Sequence, residues 1–257
     1  MERPAIFATA ALVTLGLAVS GAAAAGHAGV PKYIAAALAD PARPAADKER
    51  DANRKPGETL AFAGVKPGDW VLELAPGRGY FTRLLSAVVG PKGEVSVYTL
   101  TTPKPDAPPP PVVALAADPH YGNVKVVLQR LMDVKPTNSF DLVWTTQNYH
   151  DFHNIPNLDV GDINRAVFAA LKPGGVYFVL DHAAEAGSGT RDTNTTHRID
   201  EEAVKQEVKA AGFELVGESN ILRNKHDPHT GKVFEPPIQG HTDQFLLKFR
   251  KPKKSAA

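Results

Sequence analysis

The chain has no cysteine among its 257 residues and only two methionines and two tryptophans. Without cysteine there is no disulfide and no lipid attachment through an N-terminal thiol, and the composition is compatible with an oxidising compartment. It also lacks an excess of one charge: 29 Lys and Arg stand against 28 Asp and Glu, for a formal net charge of +1. That balance argues against a bulk electrostatic nucleic-acid binder. With 43% hydrophobic residues, the length suits one globular domain with a sizeable core.

One long apolar run is present, from Ala5 to Ala25, after Met1-Glu2-Arg3 and ending in Ala23-Ala24-Ala25 before Gly26-His27. It reads as a secretory signal peptide over 1–25, removed near Gly26, with no stable membrane association afterwards and a periplasmic or secreted destination. Residues 26–55 form an N-terminal helical segment, 56–251 the main domain, and 252–257 a basic tail. The C-terminal Lys248, Arg250, Lys251, Lys253 and Lys254 read as a solvated cluster.

Apolar runs at Trp70–Leu74, Glu94–Leu100, Val124–Leu128, Phe140–Thr146, Val176–Leu180, Phe213–Glu218 and Gln244–Phe249 are predicted strands. Between several of them lie helical patterns: Pro56–Ala63, the stretch through Phe81, Leu84, Leu85 and Val88, Val112–Ala117, Asp162–Leu171 and Asp200–Ala211. Strands alternating with helices imply a doubly wound, mostly parallel sheet. Lys172-Pro173-Gly174-Gly175 is read as the stop of a helix. The proline cluster Thr101–Pro111 excludes regular structure, and Asn224–Gly240 is a polar excursion; His226 and His229 in it and His241 just after it read as surface residues.

The most informative stretch is Val71-Leu72-Glu73-Leu74-Ala75-Pro76-Gly77-Arg78-Gly79-Tyr80, a buried strand running through a glycine turn into an amphipathic helix. Such a junction offers backbone N–H groups at the carboxyl edge of a sheet, where α/β proteins bind ligands. A dinucleotide fingerprint needs a further glycine three residues after Gly79, and Thr82 stands there. The acidic residue followed by alternating small residues (Glu73, Ala75, Gly77, Gly79) resembles the first motif of class I S-adenosylmethionine-dependent methyltransferases.

That resemblance spans roughly Pro56 to Lys251 and implies the Rossmann-like, seven-stranded methyltransferase sheet with an antiparallel last strand. It implies S-adenosylmethionine as cofactor, held by Glu73, Ala75, Gly77 and Gly79, with Asp133 at the adenine amine and Asn148 beside the site. One expected feature is missing. The family ends its second strand with an acid on the ribose hydroxyls, whereas this strand ends Tyr98-Thr99-Leu100-Thr101. Thr99 or Thr101 supplies at most a neutral hydrogen bond, worth about 1 kcal/mol against roughly 1.5–3 for a charged acceptor.

After the fourth strand, Gln147-Asn148-Tyr149-His150-Asp151-Phe152-His153 concentrates aromatic and polar groups at the same edge. Together with Arg50-Asp51-Xaa-Xaa-Arg54, Asp181-His182 and Arg198-Ile199-Asp200, it resembles a group of exported predicted methyltransferases. Tyr149, His150 and His153 are the candidate catalytic residues, the histidines as general bases. The bland alternative is that Asn148 and His150 tie the loop to neighbouring backbone. His150, Asp151, His153, Asp181 and His182 are suitable ligand types in a spacing that matches no metal signature, so no metal is expected. The expected function is methyl transfer to a small molecule. The alternatives are a non-catalytic ligand-binding protein on the same fold and a metal-dependent hydrolase.

Overall fold

A computed structural model describes residues 29–99, 106–130, 133, 138–236 and 238–253. The signal-peptide stretch, Leu100, Thr101 and the last four residues lie outside the described residues.

Seven strands form one sheet: β1 (Trp70–Leu74), β2 (Glu94–Tyr98), β3 (Val124–Val127), β4 (Phe140–Thr146), β5 (Leu171–His182), β6 (Glu214–Ser219) and β7 (Gln244–Arg250). Their order is β3-β2-β1-β4-β5-β7-β6, with β7 antiparallel to both its neighbours and the other pairings parallel. This is the doubly wound, mostly parallel sheet that the alternation implies, with the antiparallel last strand that the resemblance implies.

Among the described residues there are nine α-helices: α1 (Lys32–Leu38), α2 (Ala45–Lys48), α3 (Asp51–Arg54), α4 (Pro56–Ala63), α5 (Tyr80–Val89), α6 (Pro111–Ala116), α7 (Tyr149–Phe152), α8 (Val160–Ala170) and α9 (Glu201–Ala210). Among the described residues no helix is long and apolar enough to cross a membrane.

Successive residues of a strand face opposite ways, and the central strands are apolar on both faces because both are covered. Trp144, Phe178 and Leu180 pack with Phe81, Leu84 and Leu60 on one face; Val143, Tyr177 and Val179 pack with Ile163, Val167 and Val208 on the other. Trp144 sits between Phe81 and Phe178 at ring-centroid distances of 4.9 and 4.4 Å.

Three local expectations are corrected. Lys172–Gly175 does not end a helix before a strand but lies inside β5, bulged where the register with β4 jumps from Phe140↔Leu171 to Leu142↔Val176. The basic cluster is only partly a solvated tail. Lys251 Nζ donates to the carbonyls of Phe168 and Leu171 at 2.7 Å each, satisfying the end of α8, and Lys248 Nζ donates to Phe62 O at 3.1 Å. His229 is half-buried, with Nε2 3.0 Å from Asp243 Oδ2, whereas His226 and His241 are exposed as expected.

The polar excursion 224–240 is pinned rather than loose. Arg198, fully buried, makes a bidentate pair with Asp227 (2.8 and 3.1 Å) and donates to Ala183 O and Gly231 O. Both charges are compensated, and the excursion is fixed against the carboxyl end of β5.

Candidate functional site

The strand order reverses between β1 and β4, and a cavity of about 600 Å³ opens at their carboxyl ends. That is the topological switch point where open α/β sheets bind ligands, and the size lies within the range for small-molecule sites.

The floor of the cavity is built from two strained backbone turns. Ala75 leaves β1 at φ +50 and Gln147 leaves β4 at φ +58, both left-handed without being glycine. Each such residue costs about 1–3 kcal/mol, a strain that tends to be held at functional sites. The neighbouring strands hold them: Ala75 N donates to Tyr98 O at 3.0 Å and Gln147 N to Leu180 O at 2.7 Å. Asn148 joins the two turns, its Nδ2 donating to Leu74 O and Ala75 O at 3.1 Å each while Thr145 Oγ1 donates to its side-chain oxygen. Asn148 lines the cavity, yet all its described bonds are structural, as the bland alternative has it.

Glu73 is 2% exposed and accepts a 2.6 Å hydrogen bond from Thr82 Oγ1. Burial pushes its carboxyl up to about 7, against the pull of the Thr82 bond and the Arg54 charge. The Arg54 guanidinium, lowered by burial to about 10, lies over the rings of Tyr80 and Phe81 (4.4 and 5.0 Å) and donates to Gln147 Oε1. Tyr80 in turn donates to Asp51 at 2.6 Å, and Asp51 pairs bidentately with Arg43. The Arg50–Arg54 segment therefore forms a cationic wall over the glycine turn. Sequence reasoning noted this segment but gave it no role; its two arginines flanking an aspartate were the signal.

The predicted cofactor residues divide. Glu73, Ala75, Gly77, Thr99 and Asn148 line the cavity. At Gly77 (φ +58) a Cβ would meet nothing within 4 Å, so its α-carbon faces open space. Among the described residues Thr99 Oγ1 is buried without a hydrogen-bond partner, an unsatisfied group on a residue that lines the cavity. Gly79 does not line the cavity: a Cβ there would come within 2.6 Å of Leu115 Cδ1, so the glycine makes room for α6 and starts α5 at φ +80. Asp133 is also corrected. It is exposed and ion-paired with Arg130 at 2.6 Å, away from the lining, and that pair lowers its carboxyl.

Of the three candidate catalytic residues, two point away. Tyr149 is fully buried in the core: its hydroxyl donates to Glu207 at 2.9 Å and accepts from Asn164 at 2.8 Å, and burial raises it far above the usual phenol range. His153 lies 3.3 Å from the same Glu207 on a separate depression. The reason is α7: residues four apart share one helix face, so Tyr149 and His153 turn together toward α9 while His150 and Asp151 turn elsewhere.

His150 stays near the cavity. Both its backbone N and its Nδ1 are held by the buried Asp181 carboxylate, at 2.8 and 2.9 Å. Burial opposes its protonation, but the Asp181 charge and hydrogen bond outweigh it and raise the imidazole. Asp151, on the cavity lining, places Oδ1 3.4 Å from His150 Nε2 and 3.6 Å from Nδ1 of His197, a residue missed in the sequence and itself at φ +58.

No protein-family model matches the chain. Among curated proteins it is similar to the ubiquinone/menaquinone biosynthesis C-methyltransferase UbiE of Ectopseudomonas mendocina (30% identity over 48% of this chain and 45% of that protein). It is also similar to UbiE of Pasteurella multocida (32% over 48% and 43%). The matches thus span less than half the length of these relatives. Among solved structures, an S-adenosylmethionine-dependent methyltransferase from Aquifex aeolicus superposes with TM-score 0.57 at 17% identity, covering 86% of this chain and 98% of that one. A 1,6-didemethyltoxoflavin N1-methyltransferase from Burkholderia thailandensis, solved with S-adenosylhomocysteine, superposes at 0.51 and 19%, covering 81% and 79%. The [4+2]-cyclase SpnF gives 0.54 at 18%, covering 81% and 82%. The fold is the class I methyltransferase fold.

Proposed function

We propose that this chain is an exported S-adenosylmethionine-dependent methyltransferase of a small molecule, with the cofactor in the cavity between β1 and β4. The observation that carries the reading is the buried, partnerless Thr99 Oγ1 in the same cavity as the open face of Gly77, at the switch point of this fold. Both suit a ligand with hydroxyls at the end of β2 and atoms packed against the glycine turn. The relatives that match nearly half the chain are named as methyltransferases, which supports the same reading.

The bound cofactor supplies an electrophilic methyl group on a sulfonium. The chain's own residues bind and orient. Thr99 takes a hydroxyl, Glu73 and Arg54 offer opposite charges to a zwitterionic tail, and Asn148 fixes the relation of the two strand ends. Asp151, on the cavity lining with His150 behind it, is offered to the acceptor. Transfer from a sulfonium depends above all on in-line positioning, so a rigid floor of two strained turns suits the reaction.

Export is proposed from the apolar run before Gly26; mass spectrometry of the periplasmic protein should find the chain starting near that residue, and an intact Met1 would refute it.

The strand end without an acid favours a second reading, a ligand-binding protein without turnover. Thr99→Asp separates outcomes: an added carboxylate at the hydroxyl-binding position should tighten S-adenosylmethionine by roughly tenfold, about 1–2 kcal/mol. Calorimetric titration of both proteins checks this, and weakened binding in the variant would place the ribose elsewhere. Binding with no methyl transfer to any acceptor would favour the second reading.

A further inference from the structure

From the geometry we infer a divalent-cation site of the zinc class at His150, Asp151 and His197, with its remaining coordination position open toward the cavity. Nothing in this inference requires the cofactor reading above. It departs from the expectation of no metal, and from the ligand set weighed in the sequence: His153, Asp181 and His182 drop out as ligands, and His197, 46 positions after Asp151, takes their place.

 His197 is carried to α7 beside Arg198, whose guanidinium donates to Ala183 O just after β5, and its ring centroid lies 5.5 Å from that of His150.

The three ligand atoms lie within 4.8 Å of one another, with Asp151 Oδ1 3.4 Å from His150 Nε2 and 3.6 Å from His197 Nδ1. These separations are long for charge-assisted hydrogen bonds, which fall near 2.7–2.9 Å. They match the edges of a tetrahedron around an ion bound at about 2.0–2.1 Å, which are roughly 3.3 Å. Two neutral imidazoles and one carboxylate are ligands that zinc accepts, and three protein ligands with one free position is the arrangement of catalytic rather than structural zinc.

The second observation is how His150 is held. Its side chain is 3% exposed, and its Nδ1 is bonded to the fully buried Asp181 carboxylate. That bond makes Nδ1 the donor, so in the neutral ring the Nε2 lone pair points at the Asp151 oxygen, acceptor facing acceptor. A cation between them satisfies both. A buried carboxylate behind the imidazole is also the outer contact that metal-bound histidines usually have. Asp151 is 43% exposed and lines the cavity, which leaves a route for water or for an oxygen donor of a substrate. Phe234, 61% exposed, stacks edge-on to His197 at 5.0 Å and shields its outer side.

The test uses the full chain, stripped with a chelator and titrated with zinc by equilibrium dialysis, then loaded with cobalt(II) for its visible spectrum. One zinc per chain and the intense absorption of four-coordinate cobalt are expected. His197→Asn and Asp151→Asn should each weaken zinc at least tenfold, and His153→Ala should not. Asparagine tolerates the left-handed backbone at 197 and is isosteric at 151, so both variants keep the fold. No bound zinc, or full affinity in both variants, would overturn the site. S-adenosylhomocysteine is titrated separately, so loss of one result leaves the other standing.

Discussion

Gly77→Val should weaken S-adenosylmethionine binding by roughly a hundredfold in a protein that still folds, whereas Gly79→Val should instead cost stability. At Gly77 an added Cβ meets nothing within 4 Å, so the branched side chain projects into the cavity proposed for the ligand. The penalty in the free protein is the left-handed backbone at φ +58, about 1–2 kcal/mol. At Gly79 the same change puts Cβ 2.6 Å from Leu115 Cδ1 at φ +80, so overpacking adds to backbone strain and roughly 2–4 kcal/mol is lost. Thermal unfolding and calorimetric titration of both variants check the pair. A Gly77→Val protein that unfolds like wild type and binds as tightly would remove the glycine turn from the site.

The second large effect is on pH. Glu73 has its carboxyl raised by burial to about 7 from an ordinary 4.5. The unfolded chain therefore ionises first, and between those values the folded state holds the extra proton. The stability from the neutral carboxyl is fully present below about pH 4.5 and is lost as pH rises through 7. Relative to Glu73→Gln, the wild type should lose about 3 kcal/mol between pH 4 and pH 8. Denaturant unfolding of both proteins at several pH values reads this, and parallel curves would contradict it.

The same group acts on the ligand. A cationic group of S-adenosylmethionine beside Glu73 favours the carboxylate, so binding should strengthen roughly tenfold between pH 6 and pH 8 in wild type. That gain should be absent in Glu73→Gln.

The strands could be read because the central ones are buried on both faces and stand out as apolar runs: Trp70–Leu74 and Phe140–Thr146 have the bounds that the sequence suggests. The bulge in β5 was hidden because Lys172-Pro173-Gly174-Gly175 carries the chemistry of a helix stop. At the site, the glycine turn and Thr99 were legible as lying at one sheet edge, where Gly77 and Thr99 do line the cavity, but Gly77 and Gly79 look alike in sequence. Only the position of Leu115 tells them apart. Tyr149, His150 and His153 seemed one cluster because the segment reads as a loop. The four-residue helix α7 sends Tyr149 and His153 to Glu207 and leaves His150 with Asp181. His197 reaches the site through long-range packing on Phe234, which no local pattern encodes, and the Arg50–Arg54 pattern marks Arg54 without showing that it packs on Tyr80.

The most direct test of the account is a calorimetric titration of the wild-type chain with S-adenosylmethionine and S-adenosylhomocysteine at pH 8. The account predicts one molecule of either bound per chain, with the binding lost in Gly77→Val. No binding of either compound by a folded protein, or binding that Gly77→Val leaves unchanged, would contradict it.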